Sequence, residues 1–364
     1  MAILNYRDHD WIPVVHFGFW DDTIAKWRGE GHFTQDEFKD GSYTTKMGFD
    51  YDWHTVVGGN PGLLPGFESR VLEELPGGLR KVVDAVGLVQ LVREGVHCIP
   101  ATVDYLLKGR KEWEELYLPK LQYSPERVDI GYFQALARAG EREYPLGLHC
   151  GSLYGSIRNM LGIEGSAYLY ADDEDLFTEF IDRIGELSYQ VVAEILATGA
   201  TFDFAHFWED ICFKNGPLIA PKVFNAKVGP HYKRITDLVG RHGISIVSLD
   251  CDGCIDALIP TWLDNGVNTM FPIEVGTWNA SIKPWREKYG KELRGVGGMN
   301  KLVLAQDHAA VDAEIERLRP LVDLGGFIPC PDHRIPPDAE FANVQYYCER
   351  MHEVFGSPGP SPRA

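Results

Sequence analysis

The chain is short of positive charge, and its cysteines follow no pattern. Among 364 residues, 35 Lys and Arg stand against 53 Asp and Glu, a net charge of −18. No basic cluster reverses that balance locally. Such a surface repels phosphate, so nucleic acid and anionic membranes are excluded as partners. Solubility accounts for the charge, and steering of a basic protein partner is the narrower alternative. The seven cysteines are an odd count, scattered from Cys98 and Cys150 through Cys212, Cys251, Cys254 and Cys330 to Cys348. No disulfide framework is expected, which points to a reducing, cytoplasmic setting. Cys251 and Cys254 form a C-x-x-C with no second one to follow, which argues against a zinc ribbon. Residues 1–13 contain no apolar segment, so no signal peptide is read. No apolar run reaches about 18 residues, so no membrane span is read.

Hydrophobic residues make up 45% of the chain, enough for a large core. Residues 1 to about 120 are irregular, with turn signals such as Gly58-Gly59-Asn60-Pro61-Gly62 and Pro76-Gly77-Gly78. Within them, 13–19 reads as a first buried strand and 82–99 as a hairpin. From about 125, short apolar strands alternate with amphipathic helices. The strands are expected at 146–150, 202–207, 244–250, 270–275, 293–296 and 326–329, with one more near 128–133. Between them, 174–196 places Leu176, Phe177, Phe180, Ile181, Ile184, Leu187, Val191, Val192 and Ile195 at helical spacing. Strand–helix alternation implies parallel strands, and the count reaches about eight. The expected fold is α/β, a (β/α)8 TIM barrel with an irregular N-terminal extension, as one domain over 1–355. The tail 356–364 is expected to be disordered. An open doubly wound sheet is the alternative, but no G-x-G-x-x-G follows the first strand.

A barrel carries its active site at the C-terminal ends of its strands. One strand runs into Asp250-Cys251-Asp252-Gly253, where the two aspartates, two apart, point the same way. The next ends Phe271-Pro272-Ile273-Glu274, and the last ends Pro329-Cys330-Pro331-Asp332-His333. Asp252, Glu274 and His333 are expected to converge on one mouth, with Asp250 as a fourth donor. Oxygen and imidazole donors suit a divalent ion such as Zn²⁺, which also relieves the repulsion between neighbouring carboxylates. The same Asp-x-Asp-Gly equally suits an Asx-turn or a helix cap. His206 and Glu209 end another strand and are candidates for general acid work. His16, Trp20, His149, Trp208 and Lys301 are placed to contact substrate. Packing, capping and exposure are the plainer roles for these residues.

Four segments resemble the uroporphyrinogen-decarboxylase-like superfamily. They are Gly216-Pro217-Leu218-Ile219-Ala220-Pro221, Leu258-Ile259-Pro260 through Gly266-Val267-Asn268, Gly297-Gly298-Met299-Asn300-Lys301, and Pro331-Asp332-His333-Arg334-Ile335-Pro336-Pro337 with Asn343. The resemblance covers most of 125–355 in order and is loose in the front third. It implies a (β/α)8 barrel. The decarboxylase branch bears an R-Q-A-G-R motif near the N-terminus, where this chain reads His16-Phe17-Gly18-Phe19-Trp20 without arginine. The methyltransferase branch holds zinc with an H-x-C and a late cysteine. Here the H-x-C place reads Asp250-x-Asp252 and the late position reads His333. Similar methionine synthases add a glutamate on the next strand, the place of Glu274.

The resemblance therefore implies a corrinoid-dependent methyltransferase of the O-demethylase type. Zinc at Asp252, Glu274 and His333 would polarise the ether oxygen of a small methoxylated, aromatic donor. The acceptor would be the Co(I) of a corrinoid on a separate corrinoid-binding protein. Asp, Glu and His leave a harder Lewis acid than thiolates do, which suits an ether oxygen. The D-x-H-x-x-G motif of corrinoid carriers is absent, and Asp52-Trp53-His54 with Gly58 only approaches it. The alternatives are a metal-free decarboxylase, a methyltransferase acting on a quaternary amine, and a non-catalytic barrel. A homodimer is left open.

Overall fold

The computed structural model describes residues 1–93, 95, 100–140 and 142–356. The chain is α/β and folds as a (β/α)8 TIM barrel. Its parallel strands are β1 (Val15–His16), β2 (Tyr51–Asp52), β3 (Val56–Val57), β4 (Gly147–His149), β5 (Phe204–Trp208), β6 (Val247–Asp250), β7 (Thr269–Ile273), β8 (Arg294–Met299) and β9 (Phe327–Pro331). No helix among the described residues is long and apolar enough to cross a membrane.

The chain divides into two compact units. The first takes residues 1–56, 252–254 and 268 onward. In it β7, β8 and β9 pair in parallel, with Gly295 opposite Phe327 and Met299 opposite Pro331. A parallel bridge from Phe19 to Ile335 brings the β1 segment beside β9, and β2 pairs with β1. All five residues of β7 and all five of β9 are buried, so these strands read as unbroken apolar runs rather than alternating ones. Gly297 shows why glycine recurs on β8. Its φ is +122°, and a Cβ there would lie 2.3 Å from the backbone nitrogen of Ile273.

The second unit takes residues 57–251 and 255–267. Here β4, β5 and β6 pair in parallel, with His149 opposite His206 and Asp250 opposite Trp208. The helix Glu174–Ala197 begins where the Asp173 side chain accepts from Leu176 N at 2.8 Å. All nine apolar positions expected on its inner face are buried. Each contributes about 2 kcal/mol of transfer free energy before entropy is counted.

Three sequence expectations need correction or completion. The stretch 128–133 is not a strand. Asp129 accepts from Tyr132 N at 2.9 Å and starts the helix Ile130–Arg138, which buries Phe133. The short strands β2 and β3 supply the parallel segment sought there. The front of the chain is also less irregular than its composition implies. The expected hairpin belongs to an antiparallel sheet of four strands, Arg70–Leu75, Leu79–Val83, Leu88–Arg93 and Ala101–Tyr105. Residues 94 and 96–99 of that hairpin and 357–364 of the tail lie outside the described residues.

Candidate functional site

In the first unit the chain leaves β9 through Asp332 and His333. The Asp332 carboxylate is buried and accepts from the backbone N–H of Gly276 at 2.6 Å and of Lys301 at 3.1 Å. The Lys301 ammonium stands 3.8 Å from it. One buried carboxylate thus ties together the segments that follow β7, β8 and β9. It also sets the position of the next residue, His333.

The His333 imidazole lies with Nε2 3.2 Å from Oδ2 of Asp252. Trp20 stacks on its ring at 5.8 Å and Phe17 meets it edge-on at 5.7 Å. Burial alone would lower the imidazole's pKa, but the hydrogen bond and charge of Asp252 outweigh it, so the net shift is upward. Glu274 begins the turn after β7. It accepts from Gly253 N at 2.5 Å and from the Thr277 hydroxyl at 2.8 Å. Burial, and then the charge of Asp252, raises its pKa. Asp252 and His333 therefore meet as expected. Asp252, Glu274 and His333 do not all bring ligand atoms within 4.8 Å of one another.

His54, beside β2, is a member of this neighbourhood that sequence reasoning passed over. Burial lowers its pKa, opposed by the charge of Asp52 and supported by that of Arg334; Asp252 and His333 act on it more weakly. Asp52 is raised, again by burial first. Phe17 packs edge-on against His54 at 5.3 Å and Phe271 at 4.7 Å, and Trp53 lies 6.0 Å from Phe271. This is an apolar, aromatic wall beside two carboxylates and two imidazoles. His16 is placed differently. It is buried against Phe19 and Phe49, its Nδ1 accepts from Gly18 N, and burial drives its pKa down to about 3.

In the second unit His206 and Asp250 are buried, with ligand atoms within 4.8 Å of one another. Asp210 stands equally near Asp250 and has a left-handed backbone, φ 49°. His149 ends β4 partly buried, and burial lowers its pKa. Glu209 is wholly buried. Its carboxylate accepts from Leu153 N at 2.9 Å, from Gly155 N, and from the Tyr232 hydroxyl. These contacts fasten the start of the helix Tyr154–Asp172, where the helix dipole favours negative charge. Burial nevertheless raises its pKa, with the hydrogen bonds opposing. Trp208 ends β5 under the Arg158 guanidinium, 5.5 Å from the ring.

Asp252, Glu274 and His333 are of the oxygen and imidazole types that ligate a divalent cation, although their ligand atoms are not all within 4.8 Å of one another. Glu274 is pushed toward its protonated form by burial and then by the charge of Asp252. A cation would take the place of that proton.

The sequence model of the uroporphyrinogen decarboxylase (URO-D) family matches residues 109–354, more than half of the chain. Among solved structures, a methyltransferase from Methanosarcina mazei is 15% identical over 97% of this chain and 96% of that one, with a TM-score of 0.60. This is a likeness of fold. A B12-independent methionine synthase from Shewanella sp. W3-18-1, in complex with selenomethionine, is 10% identical over 94% of this chain and 98% of that one, with a TM-score of 0.48. None of the curated proteins compared with the chain matches it.

Proposed function

The chain belongs to the uroporphyrinogen decarboxylase family, and we propose that it is a methyltransferase. Its donor is a small methoxylated aromatic compound. Its acceptor is the Co(I) of a corrinoid held on a separate corrinoid-binding protein. The observation that carries this reading is the pairing of His333 with Asp252 at 3.2 Å beside the buried Glu274 carboxylate.

Asp252, Glu274 and His333 would hold a zinc ion, which when bound polarises an ether oxygen and so stabilises the phenolate leaving group. Trp20, exposed and stacked on His333, supplies flat apolar surface for an aromatic ring, while Phe17, Trp53 and Phe271 are buried aromatic packing. Asp332 holds the loop that presents His333, and Thr277 and Gly253 hold the Glu274 carboxylate. Positions fixed in this way lower the reorganisation needed when donor binds.

The test is the metal content of the purified protein by mass spectrometry, wild type beside His333→Ala, followed by a screen of methoxylated donors with cob(I)alamin as acceptor. About one zinc per chain, lost in the variant, together with donor-dependent methylation of cobalamin, is expected. No metal in either protein after zinc is supplied would sink the zinc site. It would shift the reading to metal-free acid–base chemistry in the same barrel.

A further inference from the structure

We propose that Arg158 is a docking residue for a carboxylate carried by the methyl donor, so that the preferred substrates are methoxylated aromatic acids. The ligand's class rests on the methyltransferase reading above. The site itself rests on the second unit alone.

Arg158 lies in the second turn of the helix Tyr154–Asp172, which follows β4, and Trp208 ends β5. Both therefore occupy the C-terminal face, where a barrel does its chemistry. The guanidinium covers the Trp208 ring at 5.5 Å, and Nη2 donates a long hydrogen bond of 3.5 Å to the Glu209 carbonyl oxygen. Its Nε is buried with no hydrogen-bond partner. Among the described residues no carboxylate pairs with its nitrogens within 4.0 Å.

Other enclosed arginines of the same unit are provided for. Arg127 is bonded to the carbonyl oxygens of Gln122, Asn60, Gly62 and Lys120. Arg142 pairs with Asp203 at 3.0 Å, although its Nε is also buried without a hydrogen-bond partner, so the contrast lies in the carboxylate. In a chain with 53 acidic residues, a partly buried arginine left without one at the working face is a vacant cation. The Glu209 carboxylate, whose backbone carbonyl Arg158 touches, is already committed to the helix start and to Tyr232.

The chemistry of the guanidinium selects the ligand. A planar guanidinium presents Nε and Nη in a fork that matches a carboxylate. A single cation against a net charge of −18 suits a singly charged anion better than a phosphate ester.

The experiment compares 4-methoxybenzoate with 4-methoxybenzamide, which keeps the ring and loses the charge. Binding is followed by tryptophan fluorescence without any corrinoid, in wild type, Arg158→Gln and Arg158→Lys, with melting temperatures recorded alongside. Arg158→Gln is expected to weaken 4-methoxybenzoate by about tenfold or more and to leave 4-methoxybenzamide unchanged. Arg158→Lys should recover part of the loss. In turnover, KM for the acid should rise while kcat holds. Equal binding of the acid to wild type and Arg158→Gln would overturn the proposal, as would equal loss of both ligands or no binding of the acid to wild type. Selective binding without methyl transfer from any donor would uphold Arg158 and sink the methyltransferase reading instead.

Discussion

Oδ2 of Asp252 and Nε2 of His333 stand 3.2 Å apart although 81 residues separate them along the chain. The pair is part-exposed, with side-chain exposures of 38% and 21%, so its ionic attraction adds little to stability. Asp252→Asn should therefore cost less than about 1 kcal/mol in unfolding free energy. It should cost roughly tenfold or more in affinity for zinc, because an amide donates less charge to a metal. Urea unfolding and competitive metal titration separate the two effects.

Asp332 makes a contrasting prediction. Its buried carboxylate holds two backbone N–H groups from separate segments. Asp332→Ala leaves both donors unmet and should destabilise the protein by roughly 2 to 4 kcal/mol, read as a lower urea midpoint. Asp332→Asn keeps one carbonyl oxygen and should lose less than half of that.

The three chain segments that carry Asp252, Glu274 and Asp332-His333 were legible because each closes a short apolar run on a charged residue. What hid was on the shortest elements. A two-residue strand has no periodicity, so β2 left no pattern, and His54 beside it looked like part of a failed motif. At 128–133 the capping aspartate decided for helix over apolar content. Arg158 was missed because a lone arginine on a helix ordinarily faces solvent. Only the end of β5 beneath it reveals otherwise. Glu209 was rightly singled out as unusual, but sequence could not show that backbone N–H groups would occupy its carboxylate.

His16 gives the stability a pH dependence of known sign. Its folded pKa of about 3 lies below the ordinary 6.5, chiefly through burial and then through the charge of His54. The unfolded chain therefore binds the proton more readily, and this contribution to stability is lost as pH falls below 6.5. From about pH 7.5 to about pH 5.5 the loss should reach about 1.4 kcal/mol. His16→Gln can keep the acceptor for Gly18 N but does not titrate. The wild type should lose that much more than the variant across the range, and parallel curves would contradict the assignment.

Gly297 tests the packing beneath Glu274. Its left-handed φ of +122° and the 2.3 Å approach of a virtual Cβ to Ile273 N leave no room for a methyl group. Gly297→Ala should cost about 3 kcal/mol or more. Because Ile273 precedes Glu274, metal binding should weaken with it. A stable Gly297→Ala protein with unchanged metal affinity would contradict both expectations.

The Asp332 tie has one more consequence. The bend that presents His333 is fixed by contacts to Gly276 and Lys301, and none of them involves the imidazole. The socket is thus built by its neighbours and is indifferent to what fills it. A lineage on this scaffold can exchange an imidazole for a thiolate at one codon without rebuilding the loop. At this one position a hard and a soft ligand are then a single substitution apart.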